Sequence, residues 1–341
     1  MSGRYLVTGG AGFIGSHLVE RLLTDGHRVR ILDDFSSGSL ANLPFAPQFG
    51  GALEIVRGDI RDLALTERAA AGVEVIFHQA ALRSVPRSVE DPLGTNAQNV
   101  TGTLNVLEAA RRAGVRRVVY ASSSSVYGDS PELPKREEHT PAPISPYAVS
   151  KAAGEQYARV WSRLYGVETV GLRYFNVFGP RQDPASEYAA VIPRFILWGL
   201  RGEPLEVHGN GEQSRDFTYI DNVVQANLLA FTASGVAGEV FNIACNSRHS
   251  VLEIARTIEK LLGRQLKIEH TPSRAGDVRH TQASIEKAQR LLRYHPTVDF
   301  DEGMRRTVEH LRTAIGDPRQ AARGSLGAQV CYAGAGAANF V

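Results

Sequence analysis

Cysteine is almost missing from this chain of 341 residues, which has only Cys245 and Cys331. The two lie far apart, at no metal-ligand or redox spacing. This argues against a disulfide-stapled secreted scaffold and against a zinc module, and it fits a reducing compartment. A surplus of one charge is missing too. The 38 basic side chains stand against 36 acidic ones, a formal net charge of +2. That leaves no electrostatic footprint for nucleic acid or an anionic membrane surface. No apolar run reaches the roughly 20 residues that a membrane span requires. The first strand-like residues start at Arg4, leaving no room for a signal peptide. No internal repeat is visible, and the acidic pairs Asp59/Asp62 and Glu137/Glu138 have no metal-like arrangement. The expectation is a soluble, cytoplasmic enzyme with no metal and with neither nucleic acid nor membrane as partner.

What is present begins at once. The apolar run Tyr5-Leu6-Val7 ends in Thr8-Gly9-Gly10-Ala11-Gly12-Phe13-Ile14-Gly15, and the amphipathic stretch Ser16–Thr24 follows. This is strand, tight turn, helix. Gly10, Gly12 and Gly15 match G-x-G-x-x-G, and Gly9, Gly12 and Gly15 match the related G-x-x-G-x-x-G. Glycine allows the tight turn, the approach of backbone to a pyrophosphate and the packing of helix on strand. The helix N-terminus adds N–H groups and partial positive charge. The next strand, Arg28–Leu32, stops at Asp33-Asp34. A carboxylate at Asp33 binds a ribose 2′-hydroxyl and repels a 2′-phosphate, which favours NAD over NADP. Asp34 is its solvated neighbour. Asp59, in Gly58-Asp59-Ile60 after a third strand, is evenly balanced between capping a helix and hydrogen-bonding adenine.

Further strand-like runs at Leu53–Arg57, Val75–His78, Val118–Ala121 and Thr169–Leu172 alternate with helical patterns at Leu63–Ala71, Thr103–Ala113 and Tyr147–Tyr165. Alternation of this kind predicts an α/β protein with a Rossmann-like, doubly wound parallel sheet. After Phe175 the texture changes. Gly179-Pro180 and Asp183-Pro184 break the chain, Gly/Pro-bounded segments such as Gly202–Gly211 appear, and helices are predicted at Ala190–Leu200, Asp221–Thr232 and Val251–Leu262. The expected division is an NAD-binding domain over 1–175, with 215–242 woven back into it, and a smaller α/β substrate-binding domain over 176–316. The Gly/Ala-rich residues 317–341 are expected to be a disordered tail.

Tyr147 and Lys151 stand one helical turn apart and so share a face. Tyrosine is a poor base, with a pKa of about 10. An ammonium beside it favours the phenolate. Downstream of a dinucleotide turn, the pair reads as proton removal from a hydroxyl coupled to hydride transfer onto a nicotinamide.

With these motifs in place, roughly residues 4–312 resemble the extended short-chain dehydrogenase/reductases, and within them the UDP-hexose 4-epimerases. The likeness rests on Thr8–His17, Asp33–Gly38, Gly58–Asp62, His78–Ala81, Ser122–Gly128, Ser145–Lys151, Leu172–Gln182 and Arg274–His280. The runs Ser84–Pro92 and Tyr188–Pro193, the latter after Gln182-Asp183-Pro184, resemble the subgroup acting on UDP-N-acetylhexosamines. The resemblance implies Tyr147 as catalytic base, Lys151 as its electrostatic partner and ribose ligand, and Ser123 as the hydroxyl polarising the reacting sugar oxygen. Ser124 is its near competitor in the four-serine run. Gly9, Gly12, Phe13, Ile14, Gly15, Asp33, Asp34, Ser37, Gly38, Asp59, Ile60, Ala80, Ala81, Asn99 and Tyr174 are the implied cofactor positions. Arg83, Ser84, Ser123, Ser124, Asn176, Gln182, Ala190 and Val191 are implied toward the sugar. Arg215, Arg274 and Asp277 are implied toward the diphosphate and uridine ribose, with Val207 and His208 near the uracil.

The implied reaction is C4 epimerisation of a UDP-hexose through a 4-keto sugar. A 4,6-dehydratase would need an acid pair where Ser124 and Ser125 stand. Thr281 occupies the position where a small residue admits an N-acetyl group, which favours both UDP-glucose/galactose and their N-acetyl forms. Arg83 points instead toward a plain or carboxylated sugar, so a UDP-glucuronate 4-epimerase or decarboxylase is the alternative. His17 and His78 are expected to be structural hydrogen-bonders, and Trp161 and Trp198 to pack. A homodimer through helices Asn96–Ala113 and Pro146–Tyr165 is implied; packing of those faces on the chain's own sheet is nearly as good a reading.

Overall fold

Seven parallel strands build one sheet: β1 (Arg4–Thr8), β2 (Arg28–Asp33), β3 (Leu53–Arg57), β4 (Val75–His78), β5 (Arg117–Ser123), β6 (Glu168–Tyr174) and β7 (Glu239–Ile243). Their spatial order is β3-β2-β1-β4-β5-β6-β7, with every neighbouring pair parallel. The computed structural model describes residues 3–186, 189–272 and 279–315.

Alternation along the strands decides which residue enters which core. Val7, Phe77 and Val119 point into one apolar cluster, with Leu18 and Leu22 of helix α1 (Phe13–Thr24). Leu6, Ile76 and Val118 point into the other, with Ala69 and Ala70 of α2 (Leu63–Ala70) and Val106 and Ala110 of α3 (Gly102–Arg112). Helix α4 (Pro146–Tyr165) packs on β5 and β6. With both faces covered, the central strands β1, β4 and β5 carry continuous buried apolar runs. Because the chain runs outward from β1 in opposite directions, the C-terminal ends of β1 and β4 flank a switch point where a crevice opens.

The remaining long helices are α5 (Val191–Arg201), α6 (Ile220–Thr232), α7 (Val251–Leu262) and α8 (Phe300–Ile315). Helix α6 lies against α1 and the sheet, and β7 adds to the sheet edge beside β6. Helices α5, α7 and α8 pack together near short strand pairs, Leu205–His208 with Ile268–Thr271 and Ser214–Asp216 with Arg248–Ser250. The segment between β5 and α4 crosses over to this region. Lys135 N donates to Gln282 O at 2.7 Å, and Ser284 N donates to Lys135 O at 2.8 Å. Asn242 of β7 adds a bond from its Nδ2 to Lys135 O at 3.0 Å.

The structure differs from the sequence pattern in places. Asn96–Ala113 is not one regular helix: Pro92–Asn96 leads into π-type turns over Ala97–Thr101 before α3 begins. Strand β7 and helix α8 carry no element in the pattern reading. The expected tail, 317–341, lies outside the described residues. Among the described residues no helix is long and apolar enough to cross a membrane, and no cluster of side chains could hold a metal ion.

Candidate active site

The glycine turn is held by contacts that exclude side chains. Gly9 has φ +68° and donates to Leu32 O at 2.8 Å. A Cβ on Gly15 would stand 2.0 Å from Gly9 O. Gly12 caps α1 without a side-chain hydrogen bond, so the first N–H groups of that helix have no internal partner. Asp33, buried at the end of β2, accepts from Ala11 N at 2.9 Å and from Phe35 N at 2.8 Å. Burial raises its pKa, against the pull of those two bonds. Its carboxylate is thereby fixed across the mouth of the turn.

The other end of the site starts from a helix cap. Ser145 Oγ accepts from Ala148 N, and Pro146 occupies the first turn, a position whose missing N–H costs nothing. Tyr147 therefore lies in the first turn of α4, with Lys151 one turn on. Ser123 stands close enough to the Tyr147 phenol to pull its pKa down. Its Oγ also donates to Ser125 Oγ at 3.1 Å and accepts from Ser125 N at 3.2 Å. Ser124 lines the same wall. Lys151 is buried, donates from Nζ to Ala121 O at 2.8 Å and lies 5.3 Å from the Tyr120 ring centre.

Burial dominates the electrostatics of this pair. It raises the Tyr147 pKa, and Ser123 and the Arg83 charge oppose it only in part. Burial also lowers Lys151 to about 8, against Glu155. One of the three ammonium donors is spent on the Ala121 carbonyl, which leaves two for other partners. Removal from water disfavours the charged form of each group.

A cavity of about 430 Å³ joins the two ends. Of the residues singled out in the sequence, it gathers Gly9, Gly12, Phe13, Ile14, Gly15, Asp33, Asp34, Ser37, Ile60, Ala80, Ala81, Arg83, Ser84, Ser123, Ser124, Tyr147, Lys151, Tyr174, Asn176, Gln182 and Ala190. Others stand behind the wall. A Cβ on Gly38 would lie 2.9 Å from Asp33 Oδ1. Asp59 is paired with Arg61 at 2.6 Å, while Asp62 caps α2. Asn99 clasps Leu82 N at 2.8 Å and Leu82 O at 2.9 Å, and reaches Ser150 of α4 at 3.0 Å. Thr281 Oγ1 accepts from Asn176 Nδ2 at 3.4 Å. Gln182 is buried, with Oε1 lacking a partner.

Val191, Val207, His208 and Arg215 do not line the cavity. Val207 is core, His208 Nδ1 meets Thr271 Oγ1 at 2.7 Å, and Arg215 donates to the carbonyls of Ser214 and Arg279. Arg274 and Asp277 lie outside the described residues. The pattern reading gave no role to Gln79, Leu82, Val85, Gln98 or Ser125, which also line the wall. For Gln79 the signal was available, because it directly follows β4 at the switch point.

Neither histidine of the cofactor motifs is free. His17 Nε2 meets Pro180 O at 2.9 Å. His78 Nδ1 meets Thr8 Oγ1 at 2.7 Å and its Nε2 meets Thr103 Oγ1 at 3.0 Å. Burial lowers the His78 pKa to about 3, and the Lys151 charge acts in the same direction. The unfolded chain takes up this proton near pH 6.5 and the folded protein does not, so stability falls as pH drops below 6.5. The slope from this group is at most about 1.4 kcal/mol per pH unit. His78→Gln is expected to flatten the decline of Tm between pH 6.5 and 4.5; an unchanged slope would clear His78 of the effect.

Comparison with known proteins adds to this geometry. Residues 5–244 match the model of the NAD dependent epimerase/dehydratase family. The UDP-glucose 4-epimerase of Mycolicibacterium smegmatis is 43% identical over 311 residues, covering 91% of this chain and 98% of that protein. The structure of a Methanobrevibacter ruminantium UDP-N-acetylglucosamine 4-epimerase in complex with UDP-N-acetylmuramic acid is similar with a TM-score of 0.88. It is 38% identical, and the match covers 92% of this chain and 99% of that one. The Thermus thermophilus UDP-glucose 4-epimerase complex with NAD is similar with a TM-score of 0.83 at 38% identity, over 91% and 99% of the two chains.

Proposed function

The chain belongs to the NAD dependent epimerase/dehydratase family, and from that premise we propose that it inverts C4 of a UDP-hexose through a transient 4-keto sugar. The observation that carries this reading is a single cavity lined by Ser123, Tyr147 and Lys151 together with Asp33 and the glycine turn. The residues present fit NAD: glycines keep the turn free of Cβ atoms, Asp33 is fixed for a ribose hydroxyl, and Lys151 lies buried at the catalytic end. Bound there, NAD supplies the acceptor and later the donor of the C4 hydride, together with a positive ring charge that offsets the burial of Tyr147.

In this reading Tyr147 takes the C4 hydroxyl proton and returns it, and Ser123 donates a hydrogen bond to the same oxygen. Lys151 holds the ribose. Arg215 and Arg274 hold the diphosphate, Asp277 the uridine ribose, and Val207 and His208 border the uracil, with the sugar held loosely enough to turn over. Ser84, Ser124, Asn176, Gln182 and Ala190 form the sugar-side wall, with Val191 next in the chain behind it. The domain division at residue 175, with α6 and β7 returned to the first domain, belongs to the same proposal. So does a cytoplasmic homodimer: Val149, Val160 and Leu164 of α4 are exposed beside Val89 and Leu93, and an apolar patch of this kind marks an interface. Sedimentation of the purified chain at twice the monomer mass would support the dimer, and a monomer would remove it.

Incubating the protein with each UDP-sugar, without added cofactor, and following the products by NMR tests the function. The expected result is interconversion of C4 epimers with no net NADH. Accumulating NADH, loss of CO2 or an unchanged sugar would overturn it. Thr281, bonded to a cavity residue, is proposed to leave space for an N-acetyl group. Thr281→Tyr is expected to lower kcat/KM for the N-acetyl sugars at least about tenfold more than for plain ones.

One observation favours a second reading, in which the sugar carries a carboxylate. Arg83 lines the catalytic end with no acid partner among the described residues, whereas the acids lining the cavity, Asp33 and Asp34, stand at the adenosine end. In the same panel, a kcat/KM for UDP-glucuronate above that for UDP-glucose decides for it, and failure to turn over UDP-glucuronate decides against it.

A further inference from the structure

Asn227 sits on the buried face of α6, outside the cavity, and is fully enclosed. Its neighbours on that face are Val223, Val224, Ala226 and Ala230. A polar side chain is disfavoured in such surroundings unless all its hydrogen bonds are made. Asn227 makes them, and two of its partners face the cavity. Its Nδ2 donates to Tyr174 OH at 2.9 Å and to Val223 O at 2.8 Å. Its Oδ1 accepts from Gln79 Nε2 at 3.1 Å and lies 3.2 Å from Tyr174 OH. Gln79 and Tyr174 close the triangle, with Nε2 and Oε1 at 3.2 and 3.3 Å from the phenol. Gln79 follows β4, and Tyr174 is the last residue of β6, in register with Ser123 of β5. The triangle is thus built into the cavity wall that Ser123 and Tyr147 also line.

The phenol of Tyr174 is engaged on its far side, and burial raises its pKa to about 12. It offers the cavity a fixed ring rather than an acid.

We propose that Asn227 is a positioning residue: by locking Tyr174 and Gln79 it fixes the wall that keeps the reduced cofactor in place while the sugar is a ketone. This rests on the reading of the site as an NAD-dependent epimerase. In the forward half-reaction the C4–H bond breaks, its hydride reduces the nicotinamide, and the hydroxyl proton passes to Tyr147. The nicotinamide ring is then neutral, so attraction of charge no longer holds it and shape must. If the wall yields, one equivalent of NADH and one of 4-keto sugar escape together and leave the protein empty. No further oxidant is required for the leak.

The test uses the full chain with Asn227→Leu, which keeps the bulk and removes the amide. Three quantities are measured: nucleotide content after purification, the Kd for NAD from quenching of protein fluorescence, and NADH in the ultrafiltrate during turnover of a UDP-sugar. The variant is expected to hold less than about a tenth of the parent's nucleotide and to bind NAD at least about tenfold more weakly. It should also release NADH as it turns over, with activity that decays and returns on adding NAD. Tyr174→Phe should give the same signature, and the double variant should be no worse than either single change, as members of one network require.

A lower Tm with unchanged nucleotide content and no NADH release would overturn the proposal and leave Asn227 a packing residue. Should Asn227→Leu not fold, Asn227→Ser shortens the side chain and breaks the Gln79 and Tyr174 bonds together, and the same Kd decides. Wild-type protein that binds NAD but epimerises no UDP-sugar would instead sink the broader reading, while the nucleotide content and Kd would still report on Asn227.

Discussion

Tyr147→Phe is expected to lower kcat for UDP-sugar epimerisation by about three orders of magnitude while the purified protein keeps its NAD. Proton transfer by a placed side chain contributes roughly a hundred- to ten-thousand-fold. Here the phenol would accept the proton, and Ser123, held by Ser125, keeps its place beside it, so the change removes the base alone. The ring remains to fill its place, and the turn that grips the cofactor lies at the opposite end of the cavity. Rapid-quench turnover and nucleotide extraction on the same preparation separate the two effects. A variant within about tenfold of the parent would take the phenol out of the chemistry altogether.

Gly15→Ala is expected to yield folded protein that is free of nucleotide and inactive. An added Cβ would stand 2.0 Å from Gly9 O and 2.8 Å from both Gly9 C and Gly10 Cα. All three are backbone atoms, so no rotamer change relieves the clash. The turn must open, although Gly9 is tied to Leu32 O at 2.8 Å and Gly12 N to Gly9 O at 3.1 Å. Overpacking of this kind costs about 1–3 kcal/mol. The greater loss is of the N–H array facing the cofactor. Gly12→Ala serves as the internal control, since its Cβ would meet only Gly9 O, at 3.2 Å. Titration of NAD into both variants should show Gly15→Ala weakened at least about a hundredfold, an effect of some 2.7 kcal/mol, and Gly12→Ala much less. Equal affinities would mean that the turn tolerates a side chain where the geometry forbids it.

The sheet was legible because its signal is local. Six of the seven strands could be read from short apolar stretches, although β2 is interrupted by Arg30, and β3, interrupted by Glu54, is partly exposed at the sheet edge. Strand β7 could not: Glu239-Val240-Phe241-Asn242-Ile243 carries a buried asparagine whose reason is tertiary, since its Oδ1 accepts from Tyr127 OH at 2.7 Å. Helix α8 was readable in principle, with Phe300, Met304, Val308 and Leu311 on one buried face. Its charged residues drew attention away from that spacing.

At the site, the glycine turn, Asp33, Tyr147 and Lys151 could be read because each belongs to a short motif with its own chemistry. Which serine of Ser122–Ser125 meets Tyr147 could not be read, since strand register decides it. The weight of burial at Tyr147 and Lys151 was also hidden, because it depends on how much protein surrounds them rather than on their spacing. Asn227 lies further still from any motif, and its importance comes only from the two side chains that it reaches.

The crossover that sews Lys135 to Gln282 and Ser284 joins two properties that protein engineers usually treat as separate. The loop leaving Ser123 and re-entering at Tyr147 is stitched to the stretch beside Thr281, so reshaping the pocket for a bulkier sugar also tugs on the pair that exchanges the proton. On the proposed roles of Thr281 and Tyr147, selectivity and speed would be mechanically coupled in this chain. Variants selected for a new substrate should therefore arrive slow, and regain speed through second changes within residues 128–145.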